Sequence, residues 1–600
     1  MKFNMIEVDK RFYHEENYYN NDIYCDYRED IKKYINEYRP QEYSKIIEQD
    51  KRTNIVNIFS EMRTNVVKWY PFEKNKKILE IGANYGEITL ELTKRVSSVT
   101  SVEFCQEKIE CLQKRLGEVE NLKLILCTNL KDVIIDEKYD YITLIGTAEY
   151  AEKLGFSNLK EMLEWAYNKL SEQGKIILAI DNKFGVKNLA GSTKSKQEPP
   201  FAIYNEYKDK DYKLYGKTEL EEILKNFNNS KFYYPVPNYS LTHMIYTDEY
   251  LPKRNRYNIY YREDEEILFN ELTFIGEAIK NNKFDFFTNS YIIEISKENT
   301  TDVHFVNYSN MRKEEYKIIT KISEEKVEKE AYNKQGIQHI KQIENNIEKL
   351  KNSGFSMCEK FSENKIESNF IKIPTMDEYL GELIEKGEYT KFEEELEKWH
   401  KILNERFTKT SETSIFEKYN VEIKDEEKEK LTILKDGFID LVFQNIFYDG
   451  NEYILFDQEW YEEGVPLELI MYRSIQQLVF QHNNIAKKIN LKELYKKYNI
   501  ENYIKIFDNL EEKWQNTLID KKILDFYSEK WSRIISIEDI KFNFEKRIGA
   551  VYTEKDKLYE ENRELKEKNA RLTQEIEQLK NSRIYRWTNF LRRKDGKQLN

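Results

Sequence analysis

Lys77-Ile-Leu-Glu-Ile-Gly-Ala-Asn-Tyr-Gly-Glu-Ile-Thr89 combines a short apolar run, two glycines and the start of an amphipathic segment. The apolar run at residues 78–81 predicts a buried strand, and the amphipathic pattern at residues 88–96 predicts a helix after it. Gly82 and Gly86 lie at the turn between them, where glycine permits a tight turn and lets a ligand approach the main chain. The stretch therefore predicts a strand, a ligand-binding turn and a helix.

The alternation of strands and helices continues along the chain. Apolar runs at residues 99–102, 122–126, 141–145 and 176–180 predict four further strands, with helical patterns between them. This spacing indicates a doubly wound, parallel α/β sheet. We place the α/β domain at residues 55–255, after an N-terminal extension of residues 1–54 that is rich in Tyr, Asn and charged side chains.

The spacing of the glycines argues against a dinucleotide site. The motif is G-x-x-x-G, with Asn84 and Glu87 at positions where a pyrophosphate-binding motif needs glycine. What remains fits a ligand that carries an adenosine without a pyrophosphate. We expect Glu80 to meet a cationic group of that ligand, and Glu103, which follows the next strand, to accept both ribose hydroxyls.

These residues resemble the first motif and the following acidic position of class I S-adenosylmethionine-dependent methyltransferases, which have a Rossmann-like fold. The resemblance implies that S-adenosylmethionine is the cofactor, with Gly82 and Gly86 beside its methionine moiety and Glu103 at its ribose. Asn129, after the third strand, would lie near the adenine. Asn84 replaces the commonest glycine of the motif but keeps its place among the cofactor-binding residues.

The side chains that end strands four and five are expected to face the same crevice. Glu149 and Tyr150 end the fourth strand, and Asp181 and Asn182 end the fifth. Methyl transfer depends on positioning and in some enzymes on a base. Glu149 and Tyr150 are therefore catalytic candidates, with a supporting or surface role as the alternative. The segments DNKFGVKNLAG and FYYPVPNY resemble methyltransferases of bacterial surface-polysaccharide assembly, which implies a glycan or phosphoglycan acceptor.

A second block, residues 265–481, is strand-rich at first and helix-rich later. Strands are predicted at residues 291–295, 303–308 and 316–322, and helices at 326–351 and 391–407. This order indicates an α+β unit of two lobes. Residues 482–548 form a predicted helical segment without identifiable chemistry.

A polar constellation lies in GFIDLVFQNIFYDGNEYILFDQEW, residues 437–460. Asp440 precedes Asn445 by five residues and Asp457 by seventeen. A hairpin with Asp449-Gly450 at its turn would bring Asn445 and Asp457 side by side. Asp440 could then orient a hydroxyl as a catalytic base, while Asn445 and Asp457 supply oxygen ligands for Mg²⁺.

This spacing resembles the catalytic and metal loops of kinase-like and aminoglycoside-phosphotransferase-like folds. The resemblance implies ATP and Mg²⁺ as cofactors, with Lys329 as the phosphate-binding lysine and Glu344 in the following helix as its partner. Phe438 stands where kinases commonly carry His, and residues 286–300 contain no glycine-rich loop. A working phosphotransferase and a degenerate fold therefore both stay open.

The last part of the chain predicts self-association. Leu558, Leu565, Leu572 and Leu579 repeat every seven residues, with Asn562, Asn569 and Ile576 between them. This pattern is typical of a parallel coiled coil, here residues 549–582, and the alternative is one solvated amphipathic helix.

The tail, residues 583–600, carries six Lys and Arg against one Asp, together with Ile584, Trp587 and Leu591 at helical spacing. It is typical of a basic amphipathic helix that docks on an anionic membrane surface or on an acidic partner such as a glycosyltransferase.

Composition limits the remaining classes of function. The 600 residues have a net charge of −12, and the fourth strand lacks an Asn/Asp-Pro-Pro-Tyr motif, so we expect no nucleic-acid partner. Five Cys without a CxxC pair, and no predicted signal or membrane-spanning segment, favour a cytoplasmic protein. If the tail docks on a membrane and not on a protein partner, the chain would be peripheral at the inner face of that membrane. The domain order resembles bifunctional methyltransferase–kinases that cap O-antigen chains. The alternative is a catalytically degenerate scaffold that organises glycosyltransferases.

Overall fold

The computed structural model describes residues 6–13, 27–193, 201–204, 212–253, 269–362, 364–482, 485–521 and 537–581. The chain divides into two compact units. The first comprises residues 1–265 and 270–532, and the second comprises residues 266–269 and 533–600. Both predicted catalytic blocks therefore belong to the first unit.

A sheet of fourteen strands, counted among the described residues, organises the first unit. The strands up to the middle of the chain are β1 Val8–Phe12, β2 Lys77–Ile81, β3 Ser98–Glu103, β4 Leu122–Cys127, β5 Tyr139–Ile145, β6 Leu170–Asp181, β7 Asn229–Val236, β8 Met244–Thr247, β9 Ser290–Ser296, β10 Phe305–Tyr308, β11 Ile318–Ile322, β12 Lys326–Ala331, β13 Ser356–Met357, β14 Lys360–Ser362 and β15 Lys365–Asn369. Their order is β1-β4-β3-β2-β5-β6-β9-β7-β8-β10-β11-β12-β15-β14, and β13 lies in a different sheet.

The five predicted strands of the α/β domain are confirmed and are neighbours. They are β2 to β6, and every pair between them is parallel. β1 adds a parallel strand beside β4, so part of the predicted N-terminal extension belongs to the sheet. The Val, Ile and Leu side chains of β2 to β6 are buried because helices cover both faces.

The domain boundary predicted at residue 255 has to move. The strand expected to open the second block is β9, and it pairs antiparallel with β6 on one side and β7 on the other. Its side chains are buried along its whole length. A short apolar run predicts a buried strand but does not indicate to which domain that strand belongs. Beyond β7 the sheet continues through β8 into β10 without a break.

The helices of the chain are α1 Arg28–Glu37, α2 Tyr43–Gln49, α3 Thr53–Phe59, α4 Asn65–Lys68, α5 Thr89–Thr93, α6 Gln106–Leu116, α7 Leu159–Asn168, α8 Val186–Leu189, α9 Lys217–Leu224, α10 Glu271–Lys280, α11 Phe284–Phe287, α12 Ile337–Asn352, α13 Met376–Glu385, α14 Tyr389–Arg406, α15 Ser414–Lys418, α16 Asp425–Lys428, α17 Leu467–Gln481, α18 Leu491–Lys497, α19 Ile504–Leu518 and α20 Ile537–Asn581. Caps fix several of their ends. Asn158, for example, accepts a hydrogen bond from the backbone N–H of Glu161 at 3.0 Å and begins α7.

The strands of the second block that follow β9 form an antiparallel part of the same fourteen-stranded sheet. β10, β11, β12, β15 and β14 follow one another, and α12 packs Ile340, Ile343 and Ile347 against them. The helix predicted over residues 326–351 is wrong in its first part, because residues 326–331 form β12 between β11 and β15. Strand pairing on both sides overrides the helical propensity of its Lys and Glu residues.

The later part of the second block is helical, as expected. The predicted helix at 391–407 is α14, and the remaining strands are β16 Ile433–Phe438, β17 Ile446–Tyr448, β18 Tyr453–Leu455 and β19 Tyr461–Pro466. β17 and β18 form the predicted hairpin, with Gly450 at a φ of +98° in its turn. α18 and α19 pack into the core of this block, so the predicted helical segment does not stand apart from it.

The second unit contains α20, which covers most of the predicted coiled coil. Leu558, Leu565 and Leu572 on this helix are 45–58% exposed in the single chain. The predicted basic tail, residues 583–600, lies outside the described residues. Among those that are described, no helix is both long and apolar enough to span a bilayer.

Candidate active site

A cleft opens at the carboxyl ends of β2, β3, β4 and β5, where the sequence placed the ligand. It encloses an empty volume of about 1270 Å³, part of it open to solvent. The turn after β2 forms its floor, and residues that follow β1, β3, β4, β5 and β7 line its walls. Parallel strands bring these chain segments together because all their carboxyl ends meet at one edge of the sheet.

Gly82 occupies the position where the chain leaves β2, and no other residue fits there. Its φ is +83°, and a Cβ on this residue would lie 2.2 Å from Thr147 Oγ1. Thr147 is fixed in place because its hydroxyl donates a hydrogen bond to the carbonyl of Ile81 at 3.0 Å. Gly82 and Thr147 both line the cleft, so a ligand in the cleft can approach the main chain at this turn, as predicted.

Glu103 is held rigidly beside the same turn. One carboxylate oxygen accepts a hydrogen bond from the backbone N–H of Asn84 at 2.6 Å, and the other accepts from Phe104 and Cys105 at 2.8 and 3.2 Å. The side chain is 3% exposed and lines the cleft. These three bonds fix the orientation of a carboxylate at the cleft, and a carboxylate accepts hydrogen bonds from ribose hydroxyls.

Glu80 lies in the cleft wall but is a poor partner for a cation. It is buried, and Ser101 Oγ donates a hydrogen bond to its Oε2 at 2.5 Å. Burial raises the pKa of Glu80 to about 7, even though the bond from Ser101 acts in the opposite direction. Its carboxyl group therefore carries only part of a negative charge near neutral pH, which departs from the role expected of it.

Two predicted cofactor residues serve the scaffold instead. A Cβ on Gly86 would lie 3.0 Å from Leu112 Cγ, so this glycine allows the turn to pack on α6, and it is not among the described residues that line the cleft. Asn129 accepts a hydrogen bond from the backbone N–H of Lys131 at 2.9 Å and caps a short 3₁₀ turn. Thr128, one residue earlier, lines the cleft in its place.

The two catalytic candidates at the end of β5 separate. Tyr150 lines the cleft, as expected. Glu149 is buried and accepts a hydrogen bond from the backbone N–H of Asp181 at 2.7 Å, which ties the ends of β5 and β6 together. Asn182 likewise donates to the carbonyls of residues 286 and 288. The structure therefore gives Glu149 a supporting role and not that of the base. A catalytic role for Tyr150 stays a prediction.

Several residues that line the cleft escaped the sequence analysis, and four of them come from distant parts of the chain. Tyr13 and Arg28 come from the N-terminal extension, Arg63 from the turn before α4, and Tyr239 from the chain after β7. No local sequence pattern links these residues to the site, because each lies far in sequence from the glycine turn. The FYYPVPNY segment, which ends at Tyr239, is the one stretch among them that the sequence singled out.

A second cluster unites residues that are 128 positions apart in the chain. Lys329 on β12 donates hydrogen bonds from Nζ to Glu359 at 2.8 Å and to Asp457 at 2.5 Å. Burial by itself would lower the pKa of Lys329, but the two carboxylates outweigh it and raise that pKa. The partner expected for Lys329 was Glu344, and the structure places Glu359 there instead.

Asp440 and Asn445 stand together beside this lysine–aspartate pair. Asn445 Nδ2 donates to the carbonyls of Asp440 and Asp457 at 3.2 and 3.4 Å. Burial raises the pKa of Asp440 to about 7, while the Arg473 guanidinium at 3.8 Å acts against that rise. The hairpin thus joins the three polar residues that the spacing predicted.

Glu459 adds a contact that the sequence did not indicate. Its carboxylate accepts hydrogen bonds from Arg312 and, at 3.2 Å, from His339, whose ring stacks on Trp460 at a centroid distance of 4.7 Å. Burial alone would raise the pKa of Glu459, but Arg312 and His339 hold it well below its usual range. Arg312 lies in the loop between β10 and β11, which contains no glycine.

The first part of the chain is similar to known methyltransferases. The family described as methyltransferase domain matches residues 79–178. Demethylmenaquinone methyltransferase of Staphylococcus aureus (strain MRSA252) is 22% identical over 238 residues, which are 39% of this chain and 82% of that enzyme. The matched family spans the glycine turn, Glu103 and strands β3 to β5.

Solved methyltransferase structures are also similar to part of this chain. A SAM-dependent methyltransferase from Archaeoglobus fulgidus is 19% identical, with a TM-score of 0.25 over 39% of this chain and 93% of that one. Phosphoethanolamine N-methyltransferase 1 of Haemonchus contortus, solved with phosphoethanolamine and S-adenosylhomocysteine, is 14% identical, with a TM-score of 0.27 over 48% and 52%. Scores this low support no conclusion about activity. The family match and the geometry at the strand ends do, and the chain therefore contains a class I S-adenosylmethionine-dependent methyltransferase domain.

Proposed function

We propose that this protein transfers a methyl group from S-adenosylmethionine to a glycan or phosphoglycan acceptor. Glu103, fixed by three backbone N–H groups beside the glycine turn, is the observation that carries the cofactor site. The acceptor class rests on the likeness of residues 181–191 and 232–239 to methyltransferases of surface-polysaccharide assembly. In support, Tyr239 of the second segment lines the cleft.

The side chains divide the work of holding the reactants. Glu103 would accept the ribose hydroxyls, and the open turn at Gly82 would receive the amino-acid part of the cofactor. When bound, S-adenosylmethionine supplies a methyl group on a sulfonium. Tyr150, on the cleft wall after β5, is the residue we expect to hold or move a proton of the acceptor hydroxyl.

The acceptor class can be tested with matched glycans. Radiolabelled S-adenosylmethionine is offered with a bacterial polysaccharide fraction, before and after enzymatic removal of its phosphate groups. We expect label in the glycan with the wild-type chain and none with Glu103→Gln. Label that appears only in protein or small molecules, with an intact glycan present, would refute a glycan acceptor.

A second function is favoured by the cluster around Lys329. We infer that the second block is kinase-like, because a buried lysine contacts Asp457 while Asn445 and Asp440 stand beside it. The carboxylate of Asp457 and the amide oxygen of Asn445 are donors that suit Mg²⁺, and Lys329 suits a phosphate of ATP. Asp440 would then orient the attacking hydroxyl.

Three features favour the degenerate alternative for this block. Phe438 stands two residues before Asp440 and is fully buried. The loop after β10 has no glycine, and its Arg312 pairs with Ile519 in an antiparallel bridge and with the Glu459 carboxylate. Binding of Mg²⁺–ATP measured by titration, with Lys329→Met as the control, separates the two readings. Tight binding lost in the variant supports phosphotransfer, and no binding supports a scaffold.

We also propose that α20 joins copies of the chain in a parallel coiled coil. Leu558, Leu565 and Leu572 of its seven-residue leucine repeat are exposed in the single chain, and such a stripe is stabilised when another helix covers it. The tail that follows would dock on an anionic membrane surface or on an acidic partner such as a glycosyltransferase. Several tails on one assembly would strengthen a weak contact of either kind.

A further inference from the structure

A buried guanidinium lies at one end of the cleft, and not all of its N–H donors make hydrogen bonds among the described residues. Arg63 is 5% exposed and lines the cleft. Its Nη1 donates to the carbonyl of Tyr239 at 3.3 Å, and its Nε has no hydrogen-bond partner among the described residues. A buried cation with an unused donor is costly, because the group has left water without a replacement. Such a donor is satisfied when an anion binds.

A buried carboxylate stands next to it with the opposite deficit. Glu87 Oε1 accepts a hydrogen bond from Asn84 Nδ2 at 2.7 Å, whereas Oε2 has no partner among the residues described. The distance from Arg63 Nε to Glu87 Oε1 is 3.8 Å, longer than a hydrogen bond. The two charges are therefore neighbours, and each keeps one polar atom unused.

The sheet places this pair opposite the nucleoside end of the cleft. Glu103 ends β3, while Tyr239, which Arg63 contacts, lies against Gly146 directly after β5. In the sheet β2 separates β3 from β5. A cofactor whose ribose lies at Glu103 must extend across the turn after β2, and its amino-acid end then lies on the side of Arg63.

Glu80, which the sequence offered for the cofactor's cationic group, is less suited to that task. Ser101 already donates a hydrogen bond to its carboxyl group, and burial keeps part of that group protonated near pH 7. Glu87 has a free oxygen and an arginine beside it. The ammonium group of an amino acid is therefore better matched by Glu87.

We propose that Arg63 and Glu87 together bind the zwitterionic amino-acid head of the cofactor, Arg63 taking its carboxylate and Glu87 its ammonium group. This inference rests on the cofactor assignment and deepens it. It makes both residues binding residues that discriminate the full cofactor from its nucleoside fragments. The matching of two opposite charges at one end of a buried cleft favours a zwitterion over a simple anion or cation.

Four probes separate the two contacts in a calorimetric titration of the full chain. S-adenosylhomocysteine carries both head-group charges, its decarboxy analogue keeps only the ammonium, its deamino analogue keeps only the carboxylate, and methylthioadenosine has neither. Arg63→Gln should weaken binding of S-adenosylhomocysteine and the deamino analogue about 10- to 100-fold, the range of one lost charge-assisted hydrogen bond. It should leave the other two ligands within about twofold.

Glu87→Gln should show the complementary pattern. It keeps an acceptor for Asn84, removes the charge, and should weaken S-adenosylhomocysteine and the decarboxy analogue by a similar factor while sparing the deamino analogue. Equal loss for all four ligands in either variant would overturn the proposal, because it would indicate a structural role. Unchanged affinity for S-adenosylhomocysteine would also overturn it.

Two controls keep the result interpretable. Glu103→Gln should weaken all four ligands alike, since each carries the ribose. If Arg63→Gln does not fold, Arg63→Lys keeps the charge with fewer donors and should lose affinity only for the two carboxylate ligands. Failure of the wild-type chain to bind S-adenosylhomocysteine would overturn the cofactor assignment and the inference with it, whereas binding without the crossed pattern would overturn the inference alone.

Discussion

The close approach at the glycine turn leads to a sharp prediction for Gly82→Ala. The new Cβ would lie 2.2 Å from Thr147 Oγ1, at a backbone φ of +83°. Thr147 cannot turn away freely, because its hydroxyl is bonded to the carbonyl of Ile81 at 3.0 Å. The methyl group must therefore displace the wall of the cleft or the turn itself.

The magnitude follows from two separate costs. An alanine at this φ costs about 1–2 kcal/mol of backbone strain. Overpacking against Thr147, including its hydrogen bond, adds about 1–3 kcal/mol. Because both residues line the cleft, we expect most of the second cost to appear as lost affinity for S-adenosylhomocysteine, about 5- to 100-fold.

Titration of S-adenosylhomocysteine into three variants separates these costs. Gly354→Ala is the matched control, since Gly354 has the same φ of +83° and nothing within 4 Å of a Cβ, so only stability should fall. Gly82→Ala combined with Thr147→Ala removes the 2.2 Å clash, leaves Thr147 Cβ at 3.3 Å, and should recover most of the affinity. Wild-type affinity in Gly82→Ala, or no recovery in the double variant, would refute the reasoning.

Three further predictions concern other parts of the chain. Burial raises the pKa of Glu80 to about 7, so the free energy of unfolding of the wild-type chain falls as pH rises from about 4.5 to 7. Glu80→Gln is neutral throughout, so its free energy of unfolding in urea should rise by about 1–3 kcal/mol relative to the wild type between pH 5 and pH 8. A constant difference between the two proteins over that pH range would contradict this. If Asp440 acts as a base, phosphotransfer should rise with pH through about 7, where burial sets its pKa, and Asp440→Asn should abolish it; a flat profile speaks against that role. Serine at Leu558, Leu565 and Leu572 should reduce the assembly to single chains in light scattering, whereas serine at Glu560, Glu567 and Lys568 should not.

The local pattern was sufficient for the core of the α/β domain. Apolar runs separated by amphipathic stretches predicted β2 to β6, and the glycine spacing placed the cleft at Gly82 and Glu103. These features depend on neighbours in sequence, which is why periodicity and turn chemistry detect them. The hairpin at Gly450 was predicted for the same reason.

Predictions failed where a residue's role depends on distant partners. Glu149 looked like a group facing the crevice, yet it binds the backbone of Asp181 across two strands. Gly86 looked like a cofactor glycine, yet it makes room for Leu112. The pattern of residues 326–331 predicted a helix, yet these residues form a strand that pairs with two neighbours. The partner of Lys329 is Glu359 and not Glu344, which is nearer in sequence.

The parallel sheet, the glycine turn, the acid at Glu103 and the spacing of Asp440, Asn445 and Asp457 could all be predicted from the sequence, because each is set by short-range patterning or by one turn. The sequence could not predict that β9 belongs to the first sheet or that Arg63 lies beside Glu87. Long-range pairing and burial set these relations. They decide which charged groups are buried next to one another, and therefore whether a side chain is available to bind a ligand or serves to stabilise the fold.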